Sequence, residues 1–123
     1  MSGGGRTGAA LGLDIGTSGA RALVVTDEGC VLGEGSAEYL LFAEVPGHAE
    51  QEPQDWWRAA VSSVRAALAS AGLGEVDGIG VTGQMHGTVL VDEKLDPVRR
   101  ALLWCDGRAA DDASEVIRRF GRA

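Results

Sequence analysis

The stretch that decides the fold is Gly12-Leu13-Asp14-Ile15-Gly16-Thr17-Ser18-Gly19-Ala20-Arg21. It joins two apolar runs, and two glycines bracket a pair of hydroxyl residues, which predicts a tight β-hairpin between buried strands. Glycine permits positive φ and lets backbone N–H groups come close to a ligand. Because successive N–H groups in a turn form a concavity that binds anions, the hairpin is a candidate phosphate site.

The polar side chains of this hairpin suit phosphate chemistry. Thr17 and Ser18 supply hydroxyl donors, and Arg21 supplies a cation just beyond the turn. Asp14 is anionic and cannot bind phosphate itself, but it can hold Mg²⁺, which bridges phosphate oxygens. A purely structural hairpin, in which Asp14 caps its own turn, explains the same residues equally well. A Walker-type loop is excluded because no Gly-Lys-Ser/Thr follows.

A second glycine-bounded run is Gly83-Gln84-Met85-His86-Gly87. It follows an apolar stretch and predicts a strand end that presents polar groups to a small ligand. A neutral imidazole at His86 can donate one hydrogen bond and accept another, as a sugar hydroxyl requires. Met85 can pack against the apolar face of a sugar. Taken alone, His86 would more often be a surface residue in a turn, and Met85 would more often belong to a core.

Length and composition indicate one soluble α/β domain, or part of a larger one. The chain has 123 residues and a net charge of −7, which argues against nucleic acid as a partner because phosphate contacts need a basic stripe. Cys30 and Cys105 match neither a disulfide framework nor a zinc site and are expected to be reduced in a cytoplasmic protein. The apolar runs are too short to cross a membrane, so no membrane partner is expected.

The order of the predicted elements is a three-stranded antiparallel meander, a helix, further strands and a second helix. Residues 1–8, rich in glycine, are expected to form a flexible tail. The first helix opens within residues 50–55, with Pro53 in its first turn, and Gly72 ends it. The predicted strands are residues 10–14, 20–26, 30–37, 39–42, 76–82, 88–92 and 101–104, and the second helix covers 112–120.

The first predicted helix carries its apolar residues on one face. The residues at helical spacing, expected to be buried, are Trp57, Val61, Val64, Leu68 and Ala71. Trp56 lies one residue off this stripe and is free to cover a cleft. Both Trp56 and Trp57 are more typical of helix packing than of a stacking platform.

Four blocks of the sequence carry a resemblance to a known family. They are Asp14-Ile15-Gly16-Thr17-Ser18, Glu50-Gln51-Glu52-Pro53 with Trp56-Trp57, Gly83-Gln84-Met85-His86-Gly87, and Leu103-Trp104-Cys105-Asp106-Gly107-Arg108. In this order and spacing they resemble the N-terminal part of a carbohydrate kinase of the FGGY family, within the actin-like ATPase superfamily. The resemblance implies an α/β, ribonuclease-H-like fold. Residues 9–123 would then be the N-terminal part of domain I, with the rest of domain I and domain II absent.

The resemblance implies roles for the residues on the phosphate side. Asp14 resembles the acidic residue that organises Mg²⁺ and the phosphates of ATP. Gly16, Thr17 and Ser18 resemble the hairpin that cradles the β- and γ-phosphates. Arg21 matches a basic position near the transferred group.

On the sugar side, Gln84, Met85 and His86 match the block that contacts a ketose substrate. Trp104 stands where the family has a wall of the sugar cleft, and Asp106 stands where it has an acidic loop residue. These matches imply that a ketose and ATP are the partners of the protein.

Within the family, residues 84–87 are similar to those of xylulokinases, which implies ATP-dependent phosphorylation of D-xylulose to the 5-phosphate. A kinase for another ketose, such as sedoheptulose, and a non-catalytic actin-like protein that binds nucleotide are the alternatives. Family members are several times longer and place their catalytic aspartate beyond this chain. The chain is therefore expected to be a fragment or a truncated gene product, inactive alone, of a full-length parent that could form a homodimer.

Overall fold

The structure is a computed structural model, and it describes residues 8–121. Its elements are β1 (Ala9–Ile15), β2 (Gly19–Thr26), β3 (Val31–Glu38), β4 (Glu50–Gln51), α1 (Pro53–Ala71), β5 (Gly78–Gly83), β6 (Ala101–Leu102) and α2 (Ala110–Phe120). The expected flexible tail, apart from Gly8, lies outside the described residues. The Gly8 amide donates to a carboxylate oxygen of Asp77 at 2.8 Å, and its carbonyl accepts from the Asp27 amide at 3.1 Å.

The main sheet has four strands in the order β3-β2-β1-β5. The first three strands form the predicted antiparallel meander, and β5 pairs with β1 in parallel. Parallel neighbours need a crossover connection, and α1 supplies it. In this register Ile15 at the end of β1 is paired with Gly83 at the end of β5. The two glycine-bounded runs therefore leave the sheet side by side.

The core lies between α1 and one face of the sheet. Leu11, Val24 and Ala67 are among its fully buried members. Two glycines of β3 let the helix come unusually close: a Cβ on Gly35 would stand 2.2 Å from the Ser63 carbonyl oxygen, and one on Gly33 would stand 2.5 Å from that of Ala67. Glycine in a strand is here a requirement of packing.

This close approach determines which side chains of α1 are most deeply buried. The helix buries its small residues, which are Ala59, Ala60, Ser63 and Ala67. The predicted buried stripe was wrong at its start, since Trp57 is 69 % exposed. Trp57 instead borders a groove with Ile79 and Val81 of β5, both largely exposed. The later members of the stripe, Val64, Leu68 and Ala71, do pack against the core as predicted. Because β3 presents glycines to α1, only small side chains such as alanine and serine fit between the helix and that strand. The larger side chains of α1 lie at the edge of this contact.

Two predicted strands do not form. Residues 39–42 contain only an isolated bridge from Phe42 to Glu50. In residues 88–92, Thr88 pairs with Leu102 whereas Val91 pairs with Pro97, so no continuous ladder can develop. The strand predicted for 101–104 ends at Leu102, because the chain then turns. Within residues 8–121, neither helix is long and apolar enough to cross a bilayer.

Candidate active site

The hairpin between β1 and β2 is closed by one backbone hydrogen bond, from the Gly16 amide to the Gly19 carbonyl at 3.0 Å. Neither glycine has positive φ, so the expected reason for glycine was wrong. Gly19 is required because a Cβ there would stand 2.6 Å from the Ala37 carbonyl oxygen. The amides of Thr17 and Ser18 donate to no backbone acceptor within residues 8–121. They are therefore available to an anion.

All three carbonyl groups of the hairpin loop are bonded to the body of the domain. The Tyr39 hydroxyl donates to the Gly16 carbonyl, and the Tyr39 amide donates to that of Ser18 at 3.4 Å. The Gln51 side-chain amide donates to the Thr17 carbonyl at 2.7 Å. Sequence reasoning missed both Tyr39 and Gln51, although Gln51 lies in one of the four blocks.

Asp14 and Arg21 are paired across β1 and β2, on the face of the sheet opposite α1. Both line a shallow depression of about 410 Å³ that also contains the hairpin loop. A Cβ on Gly16 would stand 3.4 Å from the Asp14 carboxylate, so that carboxylate lies against the loop. Arg21 is exposed and pairs with Glu34 at 3.2 Å. Burial, and then the charge of Asp14, raise the pKa of Tyr39.

A metal ion can bind in this depression only together with a ligand that supplies further coordinating atoms. Within the described residues, no three His, Cys, Asp or Glu side chains are grouped so that they could hold a metal ion. Asp14 offers a carboxylate against the hairpin loop, and Glu38 lines the far side of the same depression. One carboxylate suits Mg²⁺, which commonly binds through one or two carboxylates together with substrate phosphates and water. The residues present therefore fit a magnesium ion that arrives with a polyphosphate.

The second run lies beside the hairpin. The Gln84 amide donates to the Ile15 carbonyl at 2.9 Å, which continues the β1–β5 pairing past the end of β5. The Gln84 side-chain nitrogen donates to Gln51 at 3.0 Å, while its buried oxygen has no partner among residues 8–121. His86 is exposed and has a φ of 62°, a left-handed conformation that is uncommon outside glycine and often found at functional sites.

Gln84 and His86 line a groove of about 430 Å³, together with Trp56 and Val89. Trp56 thus lies on the cleft side of the stripe, and its indole N–H donates to Gln51 at 2.9 Å. Met85 is 70 % exposed and is not part of the groove wall. The structure therefore brings Gln84 and His86 together and leaves Met85 outside.

Trp104 lies beside the hairpin, with its indole N–H 3.4 Å from the Thr17 hydroxyl oxygen. Asp106 has a different position from the one expected of a sugar ligand. Its carboxylate accepts from the Ala49 amide at 2.7 Å and from Arg108 at both oxygens, and its side chain is only 5 % exposed. With both oxygens engaged, Asp106 is a structural anchor of this corner rather than a free ligand.

Arg108 links Asp106 to Glu50, which it contacts at 2.8 Å. Hydrogen bonds from Arg108, and then from the Ala49 amide, hold the pKa of Asp106 well below its usual range. The pKa of Glu50 is lowered mainly by its hydrogen bond from Arg108. Because Glu50 immediately precedes Gln51, this ion-pair network fixes the segment that supports the hairpin.

The chain matches the model of the FGGY family of carbohydrate kinases, N-terminal domain, over residues 9–122. It is 37% identical over 102 residues to a xylulose kinase of Klebsiella pneumoniae, covering 83% of this chain and 21% of the relative. It is 34% identical over 113 residues to a xylulose kinase of Bacillus subtilis, covering 90% and 23%. The chain thus spans less than a quarter of the length of these relatives.

Solved structures agree with this assignment. The crystal structure of xylulose kinase from Rhodospirillum rubrum superposes with a TM-score of 0.85 at 30% identity, over 90% of this chain and 23% of that one. The neighbours are sugar kinases of the actin-like, ribonuclease-H-like fold, so the predicted fold class is confirmed. The chain belongs to the FGGY family of carbohydrate kinases.

Proposed function

We propose that this chain forms the N-terminal part of an ATP-dependent kinase that phosphorylates D-xylulose to D-xylulose 5-phosphate. One observation carries the proposal. β1 and β5 are parallel and end together at Ile15 and Gly83, so the hairpin and the Gln84–His86 segment lie next to each other. A donor of phosphate and an acceptor hydroxyl must meet in this way for direct transfer.

The phosphate side of the site binds the nucleotide. The free amides of Thr17 and Ser18 and their hydroxyl groups receive phosphate oxygens, and Arg21 adds a positive charge at the edge of the same depression. Asp14 would hold Mg²⁺, and a bound Mg²⁺ would supply neutralisation of negative charge near the phosphates. Phosphoryl transfer needs positioning and charge stabilisation more than covalent chemistry, and these residues supply both.

The sugar side orients the ketose. His86 donates and accepts hydrogen bonds with sugar hydroxyls in the groove that it lines with Gln84. Trp104, whose indole N–H lies near the Thr17 hydroxyl, adds an aromatic surface beside the hairpin. Asp106 holds the loop that follows Trp104 through its bonds with Ala49 and Arg108. The general base that removes the proton of the reacting hydroxyl is supplied by the part of the family's length that this chain does not span.

The substrate is supported by relatives that are xylulose kinases and are 33–37% identical to this chain. The test is a coupled assay of ADP release by the full-length protein with ATP, Mg²⁺ and a panel of ketoses. We expect the highest kcat/KM with D-xylulose. Faster turnover of a seven-carbon ketose would contradict the named substrate. Nucleotide binding without release of ADP on any sugar would indicate a non-catalytic nucleotide-binding protein.

A further inference from the structure

The carbonyl groups of the hairpin loop need restraint if its amides are to face an anion. A peptide unit carries its N–H and C=O on opposite sides, so a peptide that rotates to present its carbonyl repels phosphate instead of binding it. Tyr39 and Gln51 bind two successive carbonyls, those of Gly16 and Thr17. These are the carbonyls of the two peptides whose N–H groups belong to Thr17 and Ser18.

The orientation of the Gln51 side chain follows from its partners. The Thr17 carbonyl can only accept a hydrogen bond, so the Gln51 nitrogen must face it. The Trp56 indole can only donate, so the Gln51 oxygen must face that group. Gln84 must then present its own nitrogen to the same oxygen. Gln51 is fully buried, and this network defines the rotation of three side chains.

We propose that Tyr39 and Gln51 are positioning residues that turn the hairpin carbonyls away from the nucleotide phosphates. The inference rests on the proposed function. The two residues have separable effects: among residues 8–121 Tyr39 hydrogen-bonds only to the hairpin, whereas Gln51 hydrogen-bonds to the hairpin, Gln84 and Trp56.

Three variants of the full-length protein separate these contacts. Tyr39→Phe removes only the donor to the Gly16 carbonyl. Gln51→Glu keeps an acceptor for Trp56 and Gln84 but loses the donor to the Thr17 carbonyl. Ser114→Ala is the matched control, because it removes a hydroxyl that donates to a backbone carbonyl at 2.9 Å on α2, away from the site. Thermal unfolding identifies any variant that does not fold.

The measurements are dissociation constants for MgATP and for D-xylulose by calorimetry. Because one hydrogen bond is lost, we expect Tyr39→Phe to raise the dissociation constant for MgATP about 3- to 10-fold and to leave that for the ketose unchanged. Gln51→Glu is expected to raise the dissociation constant for MgATP by at least the same factor. Its buried carboxyl group has a raised pKa and becomes a donor once protonated, so the loss relative to the unmodified protein should shrink as the pH falls from 8 to about 6.

The outcomes distinguish the inference from the function on which it rests. If the unmodified protein does not bind MgATP, the proposed function and the inference both fail. If it binds MgATP and phosphorylates a ketose, but Tyr39→Phe binds MgATP as tightly as Ser114→Ala does, the inference alone is wrong. A Gln51→Glu defect that does not depend on pH, or that is equal for both ligands, would also contradict it. The expected selective and pH-dependent loss supports it.

Discussion

Asp106 and Ala49 are joined by a 2.7 Å hydrogen bond across 57 positions of the chain, with the Ala49 amide as donor. Ala49 immediately precedes β4, and β4 ends at Gln51, which holds the hairpin. The acidic loop after β6 is therefore connected to the candidate phosphate site through three consecutive residues. Both oxygens of the carboxylate that the motif assigned to the sugar are thus engaged by protein groups.

We expect Asp106→Asn to destabilise the chain in a pH-dependent way. The pKa of Asp106 is lowered in the folded state, so its contribution to stability is complete above its ordinary pKa of about 4 and is lost as the pH falls below that value. The difference in unfolding temperature between the variant and the unmodified chain should be largest at pH 5–7 and shrink toward pH 3. Circular dichroism measures it, with exposed Glu44→Gln as the control. A difference that is constant with pH would contradict the structural role.

Asp14→Asn in the full-length protein is expected to lower kcat by roughly 10²–10³ with little change in the KM for the ketose. Loss of a charge-stabilising group at a phosphoryl-transfer site is commonly of this size. Asp14 lies against the hairpin loop and not in the groove of His86, so the sugar should not sense the change directly. Steady-state kinetics at limiting Mg²⁺ test this. A near-normal kcat would mean that Asp14 is only a turn residue.

His86→Ala is expected to weaken binding of the ketose rather than of MgATP. Loss of its hydrogen bonds to a substrate hydroxyl should raise the KM for the ketose roughly 5- to 100-fold and leave MgATP binding unchanged. The other histidine of the chain, His48, provides the matched control as His48→Ala. An unchanged KM for the ketose in His86→Ala would show that the left-handed turn at this residue has no part in sugar binding.

Gly35→Ala tests the packing of α1 on β3. The added methyl group would stand 2.2 Å from a backbone oxygen of the helix, so the backbone must move to relieve the clash. We expect this movement to lower the free energy of unfolding by about 2 kcal/mol. Gly12→Ala is the control, because a Cβ there meets nothing within 4 Å. Urea unfolding of both variants measures the difference. Equal midpoints would mean that the helix is not held against β3 in solution.

The 123-residue chain alone is expected to release no ADP in response to D-xylulose, because no catalytic base is assigned within it. It should also self-associate, since large apolar side chains such as Trp57, Ile79 and Val81 are more than 60 % exposed. The coupled assay and size-exclusion chromatography check the two expectations. Ketose-dependent ADP release would overturn the first, and a monomer at high concentration would overturn the second.

Local patterns predicted the parts of the fold that local interactions determine. The hairpin follows from glycines and hydroxyl residues between apolar runs, and the end of α1 at Gly72, which has a φ of 67°, follows from its left-handed cap. The identity of the most deeply buried side chains of α1 could not be predicted in the same way. It depends on Gly33 and Gly35, which lie on a strand that is distant in sequence and admit only small residues beneath the helix.

The same distinction between local and long-range interactions applies to the candidate site. The polar residues of the hairpin and of the Gln84–His86 segment are visible as motifs. The supporting role of Gln51 is not, because its partners Thr17 and Gln84 are 34 and 33 positions away and no periodic pattern connects them. Asp106 was assigned to the sugar because a motif gives the position of a carboxylate and not the groups that it binds.

The parallel pairing of β1 with β5 has a consequence for the order of folding. β1 and β2 are separated by residues 16–18 only, so their hairpin can close on the microsecond timescale of local contacts. The pairing of β5 with β1 is long-range, since the rest of the meander and α1 lie between them in sequence, and such a pairing is slow. We therefore expect the β1–β2 hairpin to form before the Gln84–His86 segment takes its place beside it. A substitution that slows the docking of α1 should delay that segment without affecting the hairpin.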